Sequence, residues 1–142
     1  MRAMDVHVHE VPVARTRALR HAVLRPHERI EELAASEPAG AFAVGAFDGQ
    51  ELVAVGLVGR HGEPGAWRVR GMATAEHARG QGAGTAVLEA LLGHVAANGG
   101  SRVWCNARTP ARSLYERAGF RIASPEFELP HIGAHFVMER AM

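Results

Sequence analysis

The chain has 142 residues, 47% of them hydrophobic, which is the usual size of one domain and enough to bury a single sizeable core. Its formal net charge of +1 offers no broad attraction to nucleic acid or to an acidic membrane. All sixteen basic residues are arginine, which excludes Schiff-base lysine chemistry, and the lone Cys105 excludes an intrachain disulfide.

Met1 to Glu10 alternates histidine and valine and has neither a charged start nor an apolar run, so no signal peptide is visible. No apolar window reaches bilayer length, and a cytoplasmic location is expected. Met4 to Val11 alternates around Val6 and Val8 and reads as a first strand near a sheet edge. Val13 to Leu24 reads as a helix, with Leu19, Val23 and the alanines at 14, 18 and 22 on its inner face and Arg15, Arg17 and Arg20 facing out; Pro26 stops it. A shorter helix is expected from His27 to Ala35. Ala41 to Phe47 and Leu52 to Val58 are strands joined at Asp48-Gly49, a hairpin signal.

Trp67 to Thr74 is the next strand. The segment that follows is the most informative: Arg79-Gly80-Gln81-Gly82-Ala83-Gly84 stands directly before a long helix over residues 82–97. In that helix Val87, Leu88, Leu91, Leu92 and Val95 recur at helical spacing, Gly93 weakens its regularity, and Asn98-Gly99-Gly100 ends it. Glycines permit φ > 0 and close approach, and the free N–H groups and dipole of a helix start favour an anion. The loop does not satisfy G-x-G-x-x-G, because Thr85 and Val87 stand where glycine or alanine is needed, and a Walker A loop needs a lysine. Arg102 to Ala107 is a strand, Ala111 to Ala118 a helix closed by Gly119, and Phe120 to Phe127 and His135 to Arg140 are two last strands. Strand 67–74, helix 82–97 and strand 102–107 form a crossover unit that makes the two strands parallel. No repeat or interdomain linker interrupts the chain, so residues 1–142 read as one domain.

Three motifs in this order resemble the Gcn5-related N-acetyltransferase (GNAT) family. Arg79, Gly82 and Gly84 match its R/Q-x-x-G-x-G/A loop. Arg70-Gly71-Met72-Ala73-Thr74 stands where that family has its pantetheine-binding strand. Ala111-Arg112-Ser113-Leu114-Tyr115-Glu116-Arg117-Ala118-Gly119-Phe120 resembles A-x-x-L-Y-x-x-x-G-F. The resemblance implies a mixed α/β fold, with a mostly antiparallel seven-stranded sheet, a central parallel pair that splays apart, and four helices. It also implies acetyl-CoA as co-substrate: pyrophosphate on Arg79, Gly80, Gln81, Gly82, Ala83 and Gly84, pantetheine on the backbone of Met72 and Thr74, and a backbone N–H near Met72 or Ala73 on the thioester carbonyl. The asparagine that many members carry three residues before the alanine is Arg108 here, which leaves Asn106 as the cofactor-side candidate. Tyr115 is implied as general acid, against a packed aromatic as the plainer reading. Pro130 to His135 also resembles a subset of these enzymes.

The acceptor amine must attack uncharged, so a base is required. Glu28, Glu31, Glu32, Glu126, Glu128, His131 and His135 all qualify by type. Arg68 and Arg70, two apart on a strand, could hold an acceptor carboxylate or form a salt-bridged strand face. Trp67, Trp104 and Phe136 read as core or cleft wall. Cys105 reads as a buried apolar strand residue rather than an acyl-accepting nucleophile, so transfer is direct. The nine histidines show no metal-ligand spacing completed by a carboxylate or cysteine, so no metal is expected. The sequence thus predicts an acetyl-CoA-dependent N-acetyltransferase for the amine of a small molecule or peptide, without nucleic acid or membrane partners and with a homodimer left open. The alternative is a non-catalytic acyl-CoA-binding module, which would need neither Tyr115 nor a base; the presence of Tyr115 favours the enzyme.

Overall fold

The computed structural model describes residues 4–142, so residues 1–3 of the stretch read for a signal peptide lie outside the described residues. In chain order the elements are β1 (Val6–Glu10), α1 (Arg17–Leu24), α2 (Ile30–Ala35), β2 (Phe42–Asp48), β3 (Glu51–Arg60), β4 (Ala66–Thr74), α3 (Ala83–Ala97), β5 (Arg102–Arg108), α4 (Arg112–Arg117), β6 (Arg121–Ile122), β7 (Phe127–Leu129) and β8 (Gly133–Ala141). The strands lie in the order β1-β2-β3-β4-β5-β8-β6, with β7 also on β8. All neighbours are antiparallel except β4 and β5, which are parallel as the crossover predicts. Among the described residues no helix is long and apolar enough to cross a membrane.

The hairpin turns at Gly49, whose φ of +61° suits the tight two-residue connection. α3 runs unbroken through Gly93, because Val87, Leu88, Leu91 and Val95 are wholly buried on one face and hold the helix on the sheet. They join Val44, Val53, Val58 and Val69 in one core cluster, into which Tyr115 of α4 also packs. A second, smaller cluster gathers Val11, Ala43, Phe47 and Leu57.

Two local expectations are corrected. The segment from Val13 begins as a 3-10 turn, and its buried face is Thr16 and Arg20, while Ala14, Ala18 and Ala22 face solvent. An arginine can face inward here because Glu37, only 8% exposed at its side chain, binds both Arg20 and Arg17, the latter through two bonds of 3.0 and 2.8 Å. The strand expected over Phe120 to Phe127 is realised in two pieces, giving eight strands where seven were expected. Pro125 cannot donate to a ladder, and at the break the Val137 N–H donates instead to Ser124 Oγ at 2.9 Å.

Candidate active site

β4 and β5 pair only over Ala66–Arg68 and Arg102–Trp104. Beyond that point they part, and among the described residues the edge of β4 from Val69 to Thr74 has no strand beside it, although its other edge stays on β3. The separation opens a cavity of about 510 Å³. One wall comes from β4 with Arg68, Arg70, Met72 and Thr74, and the other from β5 and α4 with Asn106, Arg108 and Tyr115. The end of α1 and the β7–β8 connection close the side, through Leu24, Arg25, Leu129, Ile132 and His135.

β4 is bulged inside this cleft. Val55 faces Ala73 and Leu57 faces Arg70, so Gly56 alone opposes both Gly71 and Met72. Gly71 takes φ +63°, a left-handed conformation that makes it the first residue of a glycine bulge. A bulge shifts the strand out of ladder register and re-aims its backbone groups. Met72 anchors the distortion on the core side: the place a Cβ on Gly56 would take is filled by Met72 Sδ, Leu91 and Val87.

From Thr74 the chain passes through a 3-10 turn over Glu76–Ala78 into the glycine loop. Arg79, Gly80, Gln81 and Gly82 are exposed, and Gly82 caps α3 with φ +86° and no side-chain cap bond. The first-turn N–H groups of α3 therefore face an open loop in which a Cβ on Gly80 or Gly82 would meet no atom within 4 Å. Gly84 lies against β4, since a Cβ there would come 3.2 Å from Thr74 Oγ1. The fold brings Met72, Thr74, Arg79, Asn106 and Tyr115 around one cavity. Ala73 is buried in β4, and Gly80 to Gly84 continue from Arg79 along the start of α3.

Tyr115 is buried, edge-on to Phe120 at 5.5 Å, and burial, followed by neighbouring Cys105, pushes its phenol well above the usual value. It holds its proton at neutral pH. Cys105 is 1% exposed, and burial pushes its thiol up to about 12 despite the opposing pull of Arg68. A thiol so buried is not a nucleophile at neutral pH.

Of the seven side chains that qualified as a base by type, His135 lines the cavity and the others do not. Glu126 accepts from the Thr109 hydroxyl, Glu28 and Glu32 face Arg25 and Arg29, Glu31 and Glu128 are exposed, and His131 stands outside beside His27. His135 is 4% exposed, and its Nδ1 lies 2.7 Å from the Gly133 carbonyl oxygen. A carbonyl only accepts, so Nδ1 carries a proton and the neutral ring keeps its lone pair on Nε2. His131 has φ +66°, a conformation uncommon outside glycine, in the turn that leads into this strand.

Sequence reasoning passed over Arg25 and saw Arg108 only as a departure from a motif. Arg108 Nη2 donates to the Leu24 carbonyl at 2.6 Å and so ties the end of α1 across the cleft to β5. No local pattern announces a bond between residues 84 apart.

Comparison with known proteins agrees with this geometry. The model of the acetyltransferase (GNAT) family matches residues 8–120. An uncharacterized N-acetyltransferase, YitI of Bacillus subtilis (strain 168), is 33% identical over 142 residues, covering 95% of each chain. The solved IAA acetyltransferase from Bacillus cereus ATCC 14579 superposes with a TM-score of 0.77 at 18% identity, over 97% of this chain and 100% of that one. An aminoglycoside 6'-N-acetyltransferase complexed with coenzyme A gives 0.79 at 15% identity, over 95% and 96%. The split parallel pair, the glycine loop before α3 and these matches together place the chain in the GNAT family, as an N-acetyltransferase.

Proposed function

We propose that residues 1–142 act as one cytoplasmic domain that transfers an acetyl group from acetyl-CoA directly to the amine of a small molecule or peptide. The observation that carries this reading is the parting of β4 and β5 after three residue pairs, with an exposed positive-φ glycine loop at the carboxyl end of β4. An unpaired strand edge requires partners, and the pantetheine amides supply them at Met72 and Thr74. The pyrophosphate then falls on the N–H groups of residues 80–84, with Arg79 as counter-charge. Asn106 faces the same chain from β5. The coenzyme A bound by a structural neighbour supports this donor.

The thioester carbonyl sits at the bulge, where a backbone N–H of Met72 or Ala73 stabilises the developing oxyanion. The amine nitrogen attacks the carbonyl carbon and forms the C–N bond, and His135 Nε2 removes the amine proton. The C–S bond then breaks, its electron pair goes to sulfur, and the Tyr115 hydroxyl donates a proton to the departing thiolate. The products are an amide and free CoA. The acid and base that have left their resting states are restored by proton exchange with solvent.

Titration calorimetry with acetyl-CoA and a CoA-release assay over a panel of amines test the proposal. Gly82→Val places a β-branched residue at φ +86° in the space reserved for the pyrophosphate, so affinity should fall by about tenfold or more while circular dichroism is unchanged. Unaltered affinity would overturn the phosphate assignment. Tight binding without turnover of any amine would leave a non-catalytic acyl-CoA-binding module.

A further inference from the structure

Among the described residues the cavity is lined by five arginines, Arg25, Arg68, Arg70, Arg79 and Arg108, and by no aspartate or glutamate. Arg79 belongs to the phosphate loop; the other four do not. Arg68 lies over the Trp104 ring at 4.8 Å, and its buried Nε has no hydrogen-bond partner among the described residues. Arg108 spends one donor on the Leu24 carbonyl, and Arg25 meets the Glu28 carboxylate only at 3.9 Å. No carboxylate is paired with Arg70 among the salt bridges of the described residues; its charged neighbours include Arg20, Arg25 and Arg68. Arg20 is already paired with Glu37, which it shares with Arg17.

This arrangement is costly for an empty protein. Burial first, and then the neighbouring guanidiniums, pull Arg68, Arg70 and Arg108 below the ordinary arginine value, because each is held among like charges. A guanidinium fork is the side chain best matched to a carboxylate or phosphate, and its unmet donors bind strongly where water is sparse.

The position of the charge identifies the ligand. Arg68 and Arg70 precede the bulge, whereas Thr74 and the phosphate loop follow it. Four residues apart at about 3.3 Å each, Arg70 and Thr74 are separated by at most roughly 13 Å, less whatever the bulge between them takes up. With the thioester at the bulge, the phosphates of CoA occupy one end of the cleft, and the other end, beside α1 and His135, belongs to the acceptor. We infer that the acceptor is a small amine bearing its own anionic group, a carboxylate or a phosphate, which Arg70, Arg25 and Arg108 receive while the amine faces His135. The apolar side chains of Val23, Leu24, Leu129 and Ile132 leave room in the same cavity for a carbon skeleton. This inference rests on the proposed N-acetyltransferase reading and narrows its substrate class.

The test is a CoA-release assay with matched amines: amino acids against their amides, an amino-sugar phosphate against the free amino sugar, and a polyamine. The anionic member of a pair should win by about tenfold or more in kcat/KM, and the winning pair tells carboxylate from phosphate. Arg70→Gln should collapse that ratio through the acceptor KM, with the Kd of acetyl-CoA little changed, and Arg70→Lys should restore part of it. Because Arg70 is held among cations, Arg70→Gln should also melt at or above the wild-type temperature. Preference for neutral amines or for the polyamine, or a ratio insensitive to Arg70→Gln, would overturn the anionic acceptor and leave the transferase reading standing. Failure to bind acetyl-CoA would overturn both.

Discussion

Arg20 packs directly behind Gly71: a Cβ on that glycine would come within 2.9 Å of Arg20 Nε and 3.0 Å of its Cδ. The bulge that marks the cleft is therefore backed by a buried cation, which is itself fixed by Glu37 and by Thr16 Oγ1 at 3.3 Å. Gly71→Ala must meet both the left-handed φ of +63° and this contact. It should cost about 1–3 kcal/mol and lower the melting temperature by several degrees. Turnover should fall further than acetyl-CoA affinity if the bulge carries the proposed oxyanion donor. A thermal melt beside steady-state kinetics checks both, and a variant with wild-type kcat would show that the bulge does not aim the donor.

Glu37 is the second point of failure. The Arg17 and Arg20 guanidiniums hold its carboxyl below the ordinary glutamate value, the Arg17 hydrogen bond contributing most. A depressed acid stabilises the fold above its unfolded pKa, near 4.3, and that stabilisation is lost as pH falls through the lower folded value. Glu37→Gln should destabilise the protein at pH 7 on the order of 2 kcal/mol, less than the about 3–5 kcal/mol of a fully buried pair, because Arg17 remains partly solvated. Below about pH 4.3 the difference between variant and wild type should shrink. Denaturant titrations at pH 7 and pH 4 measure it; an equal difference at both would mean that the carboxylate charge is not what matters.

Tyr115→Phe removes one hydroxyl and keeps the ring against Phe120. If that hydroxyl protonates the departing thiolate, kcat should fall by about tenfold or more with acetyl-CoA affinity little changed. Since burial holds the phenol protonated well above its usual pKa of about 10, the wild-type rate should show no loss near pH 10 from this group. His135→Gln should lower kcat by about 10²–10⁴. Full activity in either variant assigns that residue to packing.

Cys105→Ala should retain most of the turnover, and mass spectrometry during turnover should find no acetyl group on the thiol. The raised pKa has a thermodynamic signature too. Above about 8.5 the unfolded thiol ionises while the folded one stays protonated up to about 12, so stability should fall with rising pH by up to about 1.4 kcal/mol per unit. Between about pH 8.5 and pH 10 the alanine variant should lose this slope, while above about pH 10 the buried Tyr115 adds one of its own in both proteins. A competent acetyl-cysteine would replace direct transfer with a two-step route.

The sequence was most informative where one element decides its own fate. The stripe from Val87 to Val95, the Asp48-Gly49 turn and the loop from Arg79 to Gly84 each carry their signal within a dozen residues, and the strand-helix-strand order then makes β4 and β5 parallel. What stayed hidden depends on distant partners. Arg20 looks like a surface residue until Glu37, 17 positions later, pairs with it, and Arg108 looks like a failed motif until it reaches Leu24. Helical periodicity therefore put Ala14, Ala18 and Ala22 on the wrong side. Similarly, seven residues suited proton removal by type, and only the folding of β8 along β5 brings His135 to the cavity wall.

Among the described residues, three residue pairs are all that join the β1–β4 part of the sheet to the β5–β8 part through strand pairing. A molecule lying between Val69–Thr74 and the facing strand would serve as the missing rungs of that seam, so occupancy and rigidity become one variable. Amide exchange along the free edge of β4 should slow when the cleft is filled, and stability should climb with ligand concentration, by about 2.7 kcal/mol at a hundred times Kd, with the melting point rising accordingly. If acetyl-CoA is that molecule, as proposed, resistance of the protein to proteolysis should rise with acetyl-CoA concentration.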